Sequence, residues 1–71
     1  MTWNYRVLKH VAGKEEWYQI HDVYYDNEGV SIASCSVNAH APFGETVEEL
    51  KEELKLMKEA FNAPTIPYED I

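Results

Sequence analysis

The sequence predicts an α+β fold, a three-stranded antiparallel meander with one C-terminal amphipathic helix packed on one face. Three observations predict it. Aromatic and β-branched residues alternate with polar ones through the first half of the chain. Gly13 and Gly29 punctuate that half at positions suited to hairpin turns. From Val47 onward the apolar residues recur at spacings of three and four instead.

The strands follow in order. WNYRVLKHV (Trp3–Val11) alternates and is rich in β-formers, and EEWYQIHDVYY (Glu15–Tyr25) is likewise aromatic and β-branched. AGKE joins them, with Gly13 at the first central position of a type II′ turn. DNEG (Asp26–Gly29) fits a type I turn with Gly29 left-handed, and VSIASCS (Val30–Ser36) makes the third strand. These turns set Ala12 opposite Glu15 and Asp26 opposite Val30. Side chains alternate along a strand, so the register sorts them onto two faces. One face holds Trp3, Tyr5, Val7, Val11, Tyr18, Ile20, Tyr24, Val30 and Ile32. It is the more apolar and is expected to meet the helix. The other face carries Arg6, Leu8, His10, Trp17, Gln19, His21, Val23, Tyr25, Ala33 and Cys35. A bulge near His21-Asp22 would exchange the faces beyond it.

The helix begins in APFGETVEEL. Thr46 and Glu49 form a capping box, in which the Thr hydroxyl accepts from the Glu49 amide and the Glu49 carboxylate returns to the Thr46 amide. Glu48 and Glu49 complement the helix dipole. Val47, Leu50, Leu54, Met57 and Phe61 form a single stripe, and Asn62-Ala63 before Pro64 closes the helix at about Asn62. A phosphate loop would need more glycine and a lysine, and the glutamates here would repel phosphate. Leu56 lies off the stripe, placed to meet the tail residues Ile66 and Tyr68 or a second subunit. Residues 1–62 are read as one β-β-β-α domain, and APTIPYEDI (63–71) as an irregular acidic tail.

Seventy-one residues allow one domain, with a stability margin that extra burial would widen. Cys35 is the only cysteine, so no disulfide closes within the chain, which suits a reducing compartment. No charged leader or membrane-length apolar run is read, and a cytoplasmic protein is expected. Thirteen acidic and six basic residues make the net charge −7. That balance disfavours nucleic acid and favours a basic protein partner.

The second sheet face is where function is expected. His10, His21, His40 and Cys35 are metal-ligand types, and the register sets His21 opposite Cys35, but their spacing matches no zinc motif. No nucleophile–base–orienter set is marked, so no catalytic residue, cofactor or metal is assigned. Left uncovered, this face would present an interface of Arg6, Leu8, Trp17, His21 and Tyr25, with Leu56 contributed by the helix. A homodimer or a basic partner would supply the missing burial.

The run PFGETVEELKEEL, following three strands, resembles the small domain of HicB-type antitoxins, with Gly44–Leu54 as the shared motif. The pieces NYRVLKH, WYQIHDVYYDNEG, FGET and YED look like a group of small uncharacterised bacterial proteins. The resemblance implies a β-β-β-α fold and carries over no catalytic or binding residue. The expected function is a non-enzymatic interaction module, antitoxin-like in its partnership. A small-ligand or metal-binding protein using His10, His21 and Cys35 is the alternative.

Overall fold

The computed structural model describes residues 2–71. Its elements are β1 (Trp3–Ala12), β2 (Glu15–Tyr25), β3 (Ile32–Cys35), α1 (Val47–Lys58), a 3-10 turn (Glu59–Asn62), β4 (Ile66–Pro67) and a second 3-10 turn (Tyr68–Asp70). The fold is α+β, but the sheet has four strands in the order β3-β2-β1-β4 and is mixed, not a three-stranded antiparallel meander. The added strand comes from the tail. Ile66 and Pro67 run parallel to β1, opposite Leu8 and Lys9. Pro64 and Pro67 hold the tail extended, and Pro67 lacks a backbone donor, which confines such a strand to an edge. The tail is thus not irregular throughout, since Ile66 and Pro67 extend the sheet.

The first hairpin has the expected register, with Ala12 opposite Glu15 and Trp3 opposite Tyr24. Gly13 takes φ +63° and no other residue of the turn has positive φ, as a type II′ turn requires. The second hairpin slips. The Gly29 amide donates to the Asp26 carbonyl at 2.9 Å, with Gly29 at φ +71°. The Asp26 carboxylate then accepts from the Val30 amide, while the Asp26 amide donates to the Ser31 carbonyl. Val30 is thus drawn into the turn, and β3 starts at Ile32. A bulge at Tyr24/Tyr25 sets Val23, not His21, opposite Cys35.

Thr46 caps α1, its hydroxyl accepting from the Glu49 amide at 3.1 Å. The Glu49 carboxylate returns to the Glu45 amide at 2.9 Å, one residue before the expected partner. Gly44 lets the loop lie against the first helical turn. A Cβ there would sit 2.9 Å from Glu49 C and Leu50 Cα, and nearer still to the Leu50 amide nitrogen. Any side chain at this position would push the helix start away.

The helix does not lie along its own apolar stripe. Met57 is its buried residue, and with Ala60 of the following 3-10 turn it packs against Tyr5, Val7 and Ile20. Glu53 faces the sheet beside them, hydrogen-bonded to Tyr5. The contacting face is turned roughly 70° from the centre of the Val47–Phe61 stripe, taking 100° per residue. Val47, Leu54 and Phe61 are left exposed. On the opposite sheet face Leu8 and Val23 have no accessible surface and His21 has 1%. The sheet buries side chains on both faces.

Candidate functional site

The face expected to stay open is closed by the tail. Arg6 on β1 donates through Nη2 to the Pro64 carbonyl at 2.7 Å and through Nη1 to the Tyr25 hydroxyl at 3.0 Å. The Tyr25 hydroxyl donates in turn to Asn4 Oδ1. Farther along β1, the His10 ring is sandwiched. Trp17 lies 5.3 Å away on one side at 7°, and Tyr68 lies 4.6 Å away at 29°. Below it the Nε2 atoms of His10 and His21 are 2.9 Å apart.

The tautomers follow from the partners. His21 Nδ1 faces the Ser36 carbonyl at 3.1 Å, which can only accept. The Ser36 hydroxyl gives its proton to the Asn38 carbonyl, so it also accepts from that ring. His21 therefore carries its proton on Nδ1, and its Nε2 accepts from His10 Nε2–H. Of the six expected interface residues, Leu8 and His21 are buried, and Arg6 and Tyr25 are half-buried. Trp17 and Leu56 remain exposed, in different places. Leu56 lines a cleft of about 500 Å³ with Trp3, Arg6, Glu59 and Ala63, while Trp17 flanks the His10 stack.

Burial beneath the tail, and then the neighbouring His21, hold the His10 pKa below its ordinary 6.5. A depressed folded-state pKa means that the folded chain binds fewer protons than the unfolded one. The associated stability is complete above pH 6.5 and is lost as pH falls through the folded value. Acidification from neutral pH is therefore expected to loosen the tail first where it covers His10. NMR titration should place the His10 midpoint below 6.5, with faster amide exchange at Ile66 over the same range. A midpoint at or above 6.5 would contradict the burial.

A second polar group ties the helix to the sheet. The Tyr5 hydroxyl donates to Glu53 Oε1. His40 Nε2 lies 2.6 Å from that same oxygen, and His40 Nδ1 is 3.5 Å from Asp22 Oδ1. The longer distance is an electrostatic contact rather than a hydrogen bond. Burial and the adjacent Glu53 carboxylate raise the Tyr5 phenol above its ordinary 10, which keeps it a donor. The Tyr5 hydrogen bond, and then His40, lower Glu53 below its ordinary 4.5. Each ring nitrogen of His40 faces a carboxylate, so the imidazole acts as a strut across the loop. Sequence reasoning missed this group, because Glu53 lies beside the apolar stripe and His40 lies in a connecting loop. The only trace in the sequence is that Glu53 stands one turn before Met57.

An open apolar surface lies on the helix side. The helix and the turn after it reach the sheet through Glu53, Met57 and Ala60, and a groove of about 400 Å³ remains among Val7, Tyr18, Ile20, His40, Met57 and Phe61. Tyr18 is 59% exposed and Phe61 69%. On the side of β2 away from β1, β3 pairs only with Val23–Tyr25, so among the described residues no strand flanks that edge from Glu15 to Gln19. The first hairpin projects as a two-stranded ribbon, an arrangement marginal in water without further cover.

Among the described residues, no group of three or more His, Cys, Asp and Glu is placed to hold a metal. Cys35 stands apart from the histidine pair, opposite Val23, and burial raises its thiol pKa, which disfavours the thiolate. No helix among the described residues is long and apolar enough to cross a membrane. Comparison of the chain with protein-family models, with curated proteins and with solved structures gives no match.

Proposed function

We propose that this chain is a non-enzymatic protein-interaction module that works through the helix-side groove around Tyr18 and Phe61. The observation that carries the reading is unburied surface. The chain exposes 5360 Å², whereas a folded monomer of its mass exposes about 4500 Å². Its radius of gyration is 13.0 Å, against about 11 Å for a compact domain of this length. Among the exposed apolar side chains, Tyr18 and Phe61 stand beside an open strand edge and a helix turned off its stripe. An apolar patch of this kind is costly to leave in water and marks an interaction site. The polar clusters serve as braces. The histidine pair is roofed by Tyr68, and the Tyr5–Glu53–His40 group joins helix to sheet. An antitoxin-like partnership is one form this role could take.

In-cell photo-crosslinking tests the reading. A photoreactive phenylalanine analogue at Tyr18 is expected to give a covalent protein adduct. The same group at Lys55, on the exposed outer side of the helix, is expected to give none. Absence of an adduct at Tyr18, or equal adducts at both positions, would overturn the assignment.

A further inference from the structure

We infer that the His10–His21 pair is a two-coordinate site for a monovalent copper ion, which sits between the two Nε2 atoms in place of the proton they share. The site lies on the tail side of the sheet, away from the helix-side groove, and does not depend on it.

The first observation is convergence. In the β1–β2 register His10 lies opposite Trp17 and His21 opposite Arg6, with the Leu8–Gln19 pair between them. Their side chains reach toward each other past that pair until the Nε2 atoms are 2.9 Å apart. The ring centroids are 4.9 Å apart, so both nitrogens lie between the rings and face each other. Two ring nitrogens this close are held by something positive between them, a proton or a metal ion.

The second is preorganisation. His21 is buried, and its Nδ1–H is taken by the Ser36 carbonyl. Its Nε2 therefore presents a lone pair to the gap. An N–H given to a backbone carbonyl is the outer-shell contact that fixes the tautomer of a metal-ligating histidine. The His10 ring is held on its faces instead, by Trp17 and Tyr68. Stacking fixes the ring plane and leaves the ring free to slide within it and to carry its proton on either nitrogen. With that proton on Nδ1, two lone pairs face one gap. Metal–imidazole bonds of about 2.0 Å set in-line nitrogens about 4 Å apart, so the pair opens by about 1 Å. His10 makes that movement, because the ring above it, Tyr68, belongs to the short tail.

The third is ligand count, which selects the ion. Among the described residues no third His, Cys, Asp or Glu joins the pair. Glu69 lines a cavity of about 290 Å³ beside His10, but it is exposed. Zinc takes four ligands, and calcium and magnesium take oxygens. Monovalent copper is satisfied by two in-line nitrogens. It also brings one charge rather than two beneath the tail, which lowers the desolvation cost. The Tyr68 ring lies 4.6 Å from His10 and 5.9 Å from His21, so its face spans the pair and favours a cation there. Binding moves one proton within the His10 ring, from Nε2 to Nδ1. No electron is transferred, and the copper stays cuprous.

The test is an anaerobic titration of the purified full chain with Cu(I), against a chromophoric Cu(I) chelator as competitor. One ion per chain is expected. Copper K-edge absorption of the loaded chain is expected to show two nitrogen neighbours and no sulfur. His10→Phe keeps a ring between Trp17 and Tyr68 but removes the nitrogen. Outer-shell changes alone cost about 10–100-fold in metal affinity, so loss of this ligand should weaken Cu(I) binding at least about tenfold. Cys35→Ser is the control, because a thiol is the strongest competing ligand in the chain, and it should leave the affinity unchanged.

Failure of the chain to hold Cu(I) against the chelator would overturn the proposal. So would undiminished binding by a folded His10→Phe variant, or binding lost in Cys35→Ser. If His10→Phe does not fold, the absorption spectrum of the parent decides alone. Sulfur in the copper shell, or three or more neighbours, would then overturn the two-histidine site.

Discussion

Replacing Leu8 by Ala is expected to cost about 2–5 kcal/mol, a large share of the stability of any domain this small. Leu8 has no accessible surface. It sits at the centre of β1, with Gln19 of β2 on one side and Ile66 of β4 on the other. Its removal would leave a cavity between the sheet and the tail that the short β4 cannot collapse to fill. A urea titration followed by far-UV circular dichroism should show the midpoint falling sharply or the transition lost. The result discriminates between two views of the face. If Leu8 were displayed for a partner, the alanine variant would keep its stability within about 0.5 kcal/mol, as surface substitutions do. A variant as stable as the parent would return this face to the candidate interfaces. The groove residues should behave in the opposite way, with Phe61→Ser changing association and hardly touching stability.

The contrast shows what the residue pattern could reveal. The first hairpin was legible because Gly13 at the head of a two-residue turn leaves one register, and alternation does the rest. The helix start was legible for the same local reason, since Thr46 and Glu49 cap within a single turn. The second hairpin was not. Its turn absorbs Val30 through the Asp26 carboxylate, and the bulge at Tyr24/Tyr25 leaves no mark in a period-two pattern. How the helix sits was also hidden. The stripe reports where apolar residues lie, but the docked face is set partly by the Tyr5–Glu53–His40 hydrogen bonds. Those bonds join residues 48 and 13 positions apart, a separation that no local period encodes.

Reading the open face depended most on the tail. Alternation correctly placed Leu8, His21 and Val23 on one side of the sheet, but the inference that this side was uncovered assumed that one helix was the only cover. Pro64 and Pro67 were read as ending the helix. The same prolines also extend the chain so that Ile66 can lie beside Leu8 and Tyr68 over His10. Once the tail takes the second face, Tyr18 and Phe61 remain exposed on the first, which the helix and the 3-10 turn after it reach through Glu53, Met57 and Ala60. The candidate site therefore moves from Trp17, His21 and Tyr25 to Tyr18 and Phe61.

A chain ending at Asn62 is expected to be less stable than the full chain by about 2–4 kcal/mol, on the order of a few hydrogen bonds and one or two half-buried side chains. The loss includes the β4 pairing with Leu8 and Lys9, the Arg6 contact to the Pro64 carbonyl, and the Tyr68 ring over the histidine pair. The Arg6 guanidinium would then keep Tyr25 as its remaining partner, with its buried Nε already unpartnered. Two readouts separate this from a general weakening. The His10 pKa should climb back toward 6.5, because its largest cause of depression is burial and Tyr68 supplies one side of that burial. Amide exchange should accelerate at Leu8 and Lys9, which lose their partner strand, and much less in the turn around Gly13, which the tail does not touch. A shortened chain with the denaturation midpoint and His10 titration of the full chain would mean that residues 63–71 are an appendage. Leu8 and His21 would then have to be buried by something other than the tail. The expected result makes the tail the second layer of the fold.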